Sequence, residues 1–599
     1  MDTRRSLRRS RKAPARPRAP GFSGRASPLD AARDSIGLAV LAAEGLRRSA
    51  LARMRRSRLM RWRHRAPMVG ELVLAPPDLR PVDPSFADEV ASGSVGLAGL
   101  TVTLDGASPF DLTAPRTGQG TGQGTAWQRE LNGFGWLRHF AAARTAENEA
   151  LVHRLAAEWL AGSRRRGMEA WAPDVVGRRM ISWLSYSSLL LDGAERRLTA
   201  GLMLSLEDQA GYLAAAWRDA PEGHPRLLAL IGLVQACLCI AGHERRLAES
   251  EKHLVRELDR QIGADGGHLS RNAGVLIALL LDLLPLRQCF AARGLTPNER
   301  LPAAIDRMMP MLRRLKLGDG QLARFNGVGA GEQEALAMLL AYDRGRAAPG
   351  PPVSSSGYVR LERGSTAIVV DAGPAPPLEL AADACAGCLS FELSSGRDLL
   401  FVNGGRPAGA HARAAAAARA TASHNTLALG GQSSADLIRN AVIERRIGAP
   451  PIRRPGRVMA RLSEADGGLI LQATHDGYAS RFGLVHCRTL CLAADGASLD
   501  GEDALDGARG EVRFAWDVPL AIHFHLHPLA GARQRDGGGA ELILPGGGRW
   551  RLSAEGAALS IEESTHYADM VGPRQAQQVV LRAACCGALS VRWRLQRIA

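Results

Sequence analysis

The sequence predicts a helical ring or solenoid followed by an antiparallel β-sandwich, and three observations carry that expectation. Between residues 126 and 345, amphipathic or buried helical segments follow one another, separated by short turns rich in Gly, Asp or Pro. At 346–357 the string RAAPGPPVSSSG is poor in apolar residues and reads as a linker. Beyond it helical periodicity gives way to alternation, as in ALSVRWRL at 588–595, which puts Leu589, Val591, Trp593 and Leu595 on one face. Short strands without intervening helices imply a sandwich, here over 358–599.

The chain before residue 126 is different in kind. The formal net charge is +16, but residues 1–65 hold 19 Lys or Arg against 4 Asp or Glu, which leaves 57 against 56 in the rest. The basicity is an appendage on a neutral body, so no specific nucleic-acid partner is expected. Residues 1–34 read as a disordered basic leader, and 35–125 as a helix followed by a strand-and-turn segment. The helical stretch 47–65 (RRSALARMRRSRLMRWRHR) is placed to touch an anionic surface, or is a solvated face carrying surplus Arg. The string GQGTGQGT at 118–125 reads as a flexible connection; no strand, helix or lysine frames it as a phosphate loop.

Within 126–345 the expected helices are 144–164, 174–191, 196–217, 224–241, 246–262, 273–293, 301–315 and 331–342. Two turns echo each other, DGGHLSRN at 265–272 and DGQLARFN at 319–326, which sets their polar residues on one rim. After the linker, alternation marks strands within 357–371, 388–403, 511–527, 540–552 and 588–595. Nine cysteines in no regular spacing argue against a disulfide scaffold. No apolar run reaches the roughly 20 residues of a membrane helix. The segments 227–240 and 275–286 read as buried helices, and no cleavable signal is evident.

The element order and several strings resemble the heparinase II/III family of polysaccharide lyases. The strings are NGFGWLRHF (132–140), WAPDVVGRRMISWL (171–184), DGGHLSRN (265–272), CLSFELSSGRDLLFVNGG (388–405), RATASHNTL (419–427), HDGYASRFGLVHCRTL (475–490) and FHLHP (524–528). The resemblance implies β-elimination on an acidic, uronic-acid-containing polysaccharide or oligosaccharide. It also implies a place in the cell envelope or periplasm, with the cytoplasm as alternative because no signal is visible.

The C5 proton of a uronate is barely acidic, because the adjacent carboxylate resists further negative charge. A lyase must neutralise that carboxylate, place a base at C5 and protonate the departing O4 oxygen. Matching the family residue by residue shows departures. Where the family often has Asn-His, this chain has Gly223-His224; where a tyrosine often follows the DG turn, Val275-Leu276 stands. The sandwich motif resembling H-A-D-x-x-S-F-E reads Cys385-Ala386-Gly387-Cys388-Leu389-Ser390-Phe391-Glu392, and V-D-x-G reads Val402-Asn403-Gly404-Gly405.

The remaining catalytic candidates are His224, His268 as proton carrier, Arg271 and Asn272 as carboxylate binders, and Tyr478 as base. Asn272 is equally a natural N-cap, and the Tyr478 hydroxyl equally a strand-end cap, its ionisation needing Arg488 or Arg419 nearby. Trp136, Trp171 and Trp183 offer sugar-stacking faces, or helical core; Arg138 and Arg419 complete the substrate-binding candidates. No cofactor is expected. The resemblance implies at most a structural zinc at Cys385, Asn403 and His424, of which Asn is a poor ligand. His523, His525 and His527 share a strand face and are expected to be neutral and hydrogen-bonded. The departures raise a second reading, a glycan-binding protein of the same ancestry that has lost chemistry.

Overall fold

The structure, a computed structural model, describes residues 28–55, 70–112, 121–163, 167–342, 355–407, 412–438, 450–508, 510, 512–535 and 538–598. The leader to residue 27, the basic stretch 56–65 and most of the linker, 346–354, lie outside them. Helix α1 (Pro28–Arg55) comes first, then α2 (Ser85–Ala91) and a hairpin of β1 (Ser94–Leu97) and β2 (Leu100–Thr103).

One expectation fails here. The Gly/Thr-rich string ends inside a helix, α3 (Thr121–Gly133), not in a flexible connection. Its helix is held by Trp127 and Leu131, both buried in the domain core, so packing overrides the poor propensity of the Gly/Thr run.

The helical domain continues with α4 (Leu137–Ala142), α5 (Ala146–Gly162), α6 (Pro173–Ser185), α7 (Ser187–Leu191) and α8 (Arg196–Ala216). It closes with α9 (His224–Cys239), α10 (Glu244–Gln261), α11 (Ala273–Ala292), α12 (Arg300–Arg314) and α13 (Gln333–Tyr342). Helix α9 is apolar all round because it is surrounded, packing on α6, α8, α10 and α11. Gly177 and Gly232 set the α6–α9 distance: a Cβ on either would lie 2.6 Å from backbone of the facing helix. Helix α11 is long and apolar enough to cross a membrane by composition, but most of it is buried in this domain. The two echoing turns fold alike. Gly263 N donates to Gly267 O and Leu269 N to Gln261 O; Leu317 N donates to Gln321 O and Ala323 N to Leu315 O.

The second domain is antiparallel throughout. One four-stranded sheet runs β3 (Tyr358–Arg363), β4 (Thr366–Asp371), β5 (Phe391–Ser395), β6 (Asp398–Phe401). A second comprises β7 (Leu427–Leu429), β14 (Arg513–His525), β18 (Ala558–His566) and β19 (Arg574–Gly587), in the order β18-β19-β14-β7. Between β7 and the next sheet lie the short paired strands β8 (Asp436–Leu437) and β9 (Pro451–Ile452).

The eight-stranded sheet is built from β10 (Val458–Ala465), β11 (Gly468–His475), β12 (Leu484–Leu492), β13 (Ser498–Gly507), β15 (Gly531–Gln534), β16 (Ala540–Ile543), β17 (Arg549–Glu555) and β20 (Leu589–Arg597). Its order is β10-β11-β12-β13-β20-β17-β16-β15. The inward face of each strand feeds one apolar core, in which the Phe391 and Trp593 rings stack with centroids 6.0 Å apart. The order of domains is therefore the one the sequence predicts: a helical region, then an antiparallel sandwich.

Candidate functional site

A cleft of about 540 Å³ lies where the helical domain meets the sandwich. Its helical wall comes from the turn before α9 (Pro221 to Pro225), the 268–275 turn entering α11, and Glu332. The sandwich supplies Glu379, Leu380, Ala382, Asp383 and Arg406, while Leu41 and Arg48 of α1 line it from above.

Of the expected site residues, His224, His268 and Asn272 line this cleft. His224 opens α9, and its Nε2 is buried with no hydrogen-bond partner among the described residues. Burial, the largest influence, pushes its pKa down to about 4, so the imidazole is neutral. His268 is engaged on both nitrogens. Nε2 donates to Gln261 Oε1 at 3.0 Å and Nδ1 takes the Ser270 N–H, also at 3.0 Å. Burial lowers its pKa to about 3. A ring held in this way fixes the turn. Asn272 caps α11, its Oδ1 accepting from Gly274 N at 2.9 Å, and its Nδ2 donates to Asp383 across the cleft at 3.2 Å.

Arg271 is turned away from the cleft. It sits at φ 61°, and its guanidinium crosses to the sandwich, where it meets Asp371 at 2.5 Å and the carbonyls of Ser356, Gly373 and Pro374. Asn326, the counterpart of Asn272 in the second turn, donates to Asp371 and to the Tyr358 hydroxyl. The rim residues chosen as carboxylate binders thus include an interdomain clamp.

The other candidates are elsewhere. Tyr478 is fully buried and donates to Leu427 O at 2.8 Å, a strand-end cap whose pKa burial pushes above the usual phenol range. Neither arginine expected to ionise it does so: Arg488 is bound to Asp503, and Arg419 donates twice to Ala384 O. Trp136 and Trp171 belong to the helical core, their indole N–H groups donating to Leu131 O and Ser163 O. Trp183 is buried beside them, and Arg138 holds Pro81 O and Gly135 O. Tryptophans at helical spacing look identical in a sequence whether they face a core or a sugar.

The family departures are filled by this chain's own atoms. Gly223 adopts φ 89° and ψ −150°, a conformation side chains avoid, and a Cβ there would lie 2.9 Å from Leu380 of the sandwich. A side chain at this position would have to move Leu380 and adopt a strained backbone. At Gly387 a Cβ would lie 2.5 Å from His424 Cδ2, so the imidazole occupies the room an aspartate would need.

The zinc set does not fit a metal either: Asn is a poor zinc ligand, and Asn403 Oδ1 already accepts from Asn425 N at 3.0 Å. Among the described residues no three His, Cys, Asp or Glu side chains converge as a metal site. The His523 ring meets Gln578 at 3.0 Å, and His525 bridges Ser564 and Ala422 O. Burial lowers the pKa of all three comb histidines.

Sequence reasoning missed the cleft's charge. Glu222, Glu332, Glu379 and Asp383 line it with Arg48 and Arg406, and among the described residues no tyrosine does. These residues come from five separate stretches of chain, so only the fold brings them together. Also missed is a buried chain in the sandwich. Gly477 N–H donates to His475 Nδ1, His475 Nε2–H to His486 Nδ1, and His486 Nε2–H to Asp503, which also holds Arg488 and Trp593. One run of donors requires both rings to be neutral, and burial lowers both pKa values.

The comparisons agree with this architecture. Residues 345–594 match the family described as Heparinase II/III-like, C-terminal. FtsZ-localized protein C of Caulobacter vibrioides is 30% identical over 538 residues, covering 87% of this chain and 89% of that protein. Heparinase III superposes with a TM-score of 0.68 at 13% identity, over 90% of this chain and 89% of that one. A mutant of the heparan sulfate lyase HepC from Pedobacter heparinus gives 0.61 at 15% identity, over 94% and 88%. These likenesses extend to the helical toroid and the sandwich together. The chain belongs to the heparinase II/III-like family.

Proposed function

We propose that this protein is a lyase-fold glycan-binding protein without β-elimination chemistry, working on envelope glycan where the cell divides. One observation carries the loss of chemistry: Gly223 and Val275 line the cleft where the family often has its amide and tyrosine, and Glu332, Glu379 and Asp383 face Arg48 and Arg406 there, Glu222 being already paired with Arg226 and Arg260. An acidic glycan brought there meets like charge, and its C5 proton meets no tyrosine base. His224 Nε2, Asn272 and the apolar surface of Val275, Ala278 and Leu380 suit a neutral or amino-bearing sugar chain.

The place of action rests on the relative whose name marks it as localised with FtsZ. The basic leader supports a tether to an anionic surface. Affinity electrophoresis through gels holding neutral, amino-bearing or uronate polymers tests the reading. Retention is expected with the first two classes, and no ultraviolet absorbance from a C4–C5 double bond with any. Growth of that absorbance with a uronate polymer overturns it. A fluorescent fusion distributed evenly through dividing cells overturns the division-site assignment.

A further inference from the structure

Helix α1 belongs to neither wall of the cleft yet closes over it. Leu41 and Arg48 are lining residues, and Gly37 lies so near the sandwich that a Cβ would be 2.6 Å from Leu378 Cδ1. The same helix face is fastened to the helical domain at its far end, where Arg55 pairs with Asp219 at 3.2 Å and bonds Ala215 O. One face of α1 therefore bridges the turn around Leu378 and the end of α8, with the cleft between.

The fastening is slight. None of the α1 side chains described is buried, and Ile36, Val40, Leu46 and Met54 are exposed on the outer side. Arg48 sits at the cleft mouth, its Nε 3.6 Å from Glu44, with the Glu222 and Arg226 charges beside it. Burial lowers the pKa of Arg48, the opposite of what a well-solvated or tightly paired guanidinium experiences. An element held by half-buried contacts and a few ion pairs opens at low cost compared with the domain beneath it.

We infer that α1 is an intramolecular cap on the glycan cleft: docked, it withholds the cleft from a sugar chain, and undocked, it admits one. The inference rests on the glycan-binding reading above and adds its regulation. Leu41 is part of the wall that closes the cleft on this side, and Arg48 stands beside Glu222 at its mouth, where the ligand's hydroxyl or amino groups would enter. Ligand and helix compete for one surface, so each lowers the other's apparent affinity.

The test uses the full chain carrying Leu41→Glu and Arg55→Glu, which set acidic groups against the cleft carboxylates and Asp219. Hydrogen exchange is expected to show α1 amides 36–51 losing protection, together with amides in 220–225 and 379–383. Retention on the neutral and amino-bearing polymers is expected to rise several-fold over wild type. As the converse, Gly37→Cys with Leu378→Cys, in a Cys586→Ser background, locks the helix down by a disulfide; retention should fall and return on reduction. Equal retention by wild type and the opened chain, with α1 shown to be released, overturns the cap while leaving glycan binding intact. No retention by either, with α1 released, overturns the cap and the glycan-binding reading together.

Discussion

The Arg271 guanidinium meets the Asp371 carboxylate at 2.5 Å, and through that pair the turn before α11 is fixed to the end of β4. Both side chains are buried, and the Tyr358 hydroxyl donates to Arg271 O beneath them. An arginine in a loop of a glycan-enzyme relative invites a substrate role, but here its charge is already matched within the protein.

Replacing Arg271 with Ala is therefore expected to act on stability. It leaves Asp371 with Asn326 but no counter-charge, and removes the donor to the carbonyls of Ser356, Gly373 and Pro374, a loss of about 3–5 kcal/mol for breaking a buried pair. Urea unfolding followed by tryptophan fluorescence checks this, and glycan retention by the folded fraction should equal wild type. Wild-type stability with lost retention would return Arg271 to the ligand site.

The contrast between Asn272 and Arg271 shows how far the sequence could be read. Asn272 before an apolar run reads as an N-cap from local pattern alone, and it is one. Arg271 depends on Asp371, 100 residues away, and no local signal names that partner. The same division runs through the fold. Helices such as 273–293 and strands such as 588–595 are legible because periodicity is local, and they stand at Ala273–Ala292 and Leu589–Arg597. Leu380 closing on Gly223, or α1 lying across the cleft, comes from distant segments meeting, which spacing does not encode. Helix α3 is hidden in the sequence because its anchors, Trp127 and Leu131, follow the Gly/Thr run.

Metal content offers a second check. With His424 in the room beside Gly387 and Asn403 bonded to Asn425, the purified chain is expected to carry far less than one zinc per molecule. Its thermal midpoint should be the same with and without a chelator, since a structural zinc contributes folding free energy directly. Stoichiometric zinc by atomic absorption, or a midpoint lowered by the chelator, would contradict the geometry.

Asp503 is the anchor of the sandwich network. It accepts from His486 at 2.8 Å, from Arg488 at 2.7 Å and from Trp593 at 2.9 Å, and Arg488 passes on to the carbonyls of Leu389 and Asn425. Asp503→Asn keeps the shape but leaves Arg488 as a buried cation without a counter-charge, at a cost of about 3–5 kcal/mol. A lowered urea midpoint with unchanged slope is the expected result. A midpoint within error of wild type would mean that the carbonyls alone hold Arg488.

The buried histidines set the pH dependence. Burial holds His224 at about 4 and His268, His525 and His566 at about 3, against an ordinary value of 6.5. Below pH 6.5 the unfolded chain takes up protons that these folded sites refuse. Their contribution is complete above pH 6.5 and lost as pH falls toward 4 and 3, at about 1.4 kcal/mol for each pH unit separating the two states. Glu392 works in the other direction. Burial, opposed by Arg324, raises it to about 7 from 4.5, so over that window the folded state holds the extra proton and stability falls as pH rises. Four histidines outweigh one carboxyl, and the urea midpoint is expected to be lower at pH 5 than at pH 7.5. Glu392→Gln removes the opposing slope, so the drop between those two pH values should be larger in that variant. An equal or smaller drop would show that Glu392 does not titrate in the folded protein within this range.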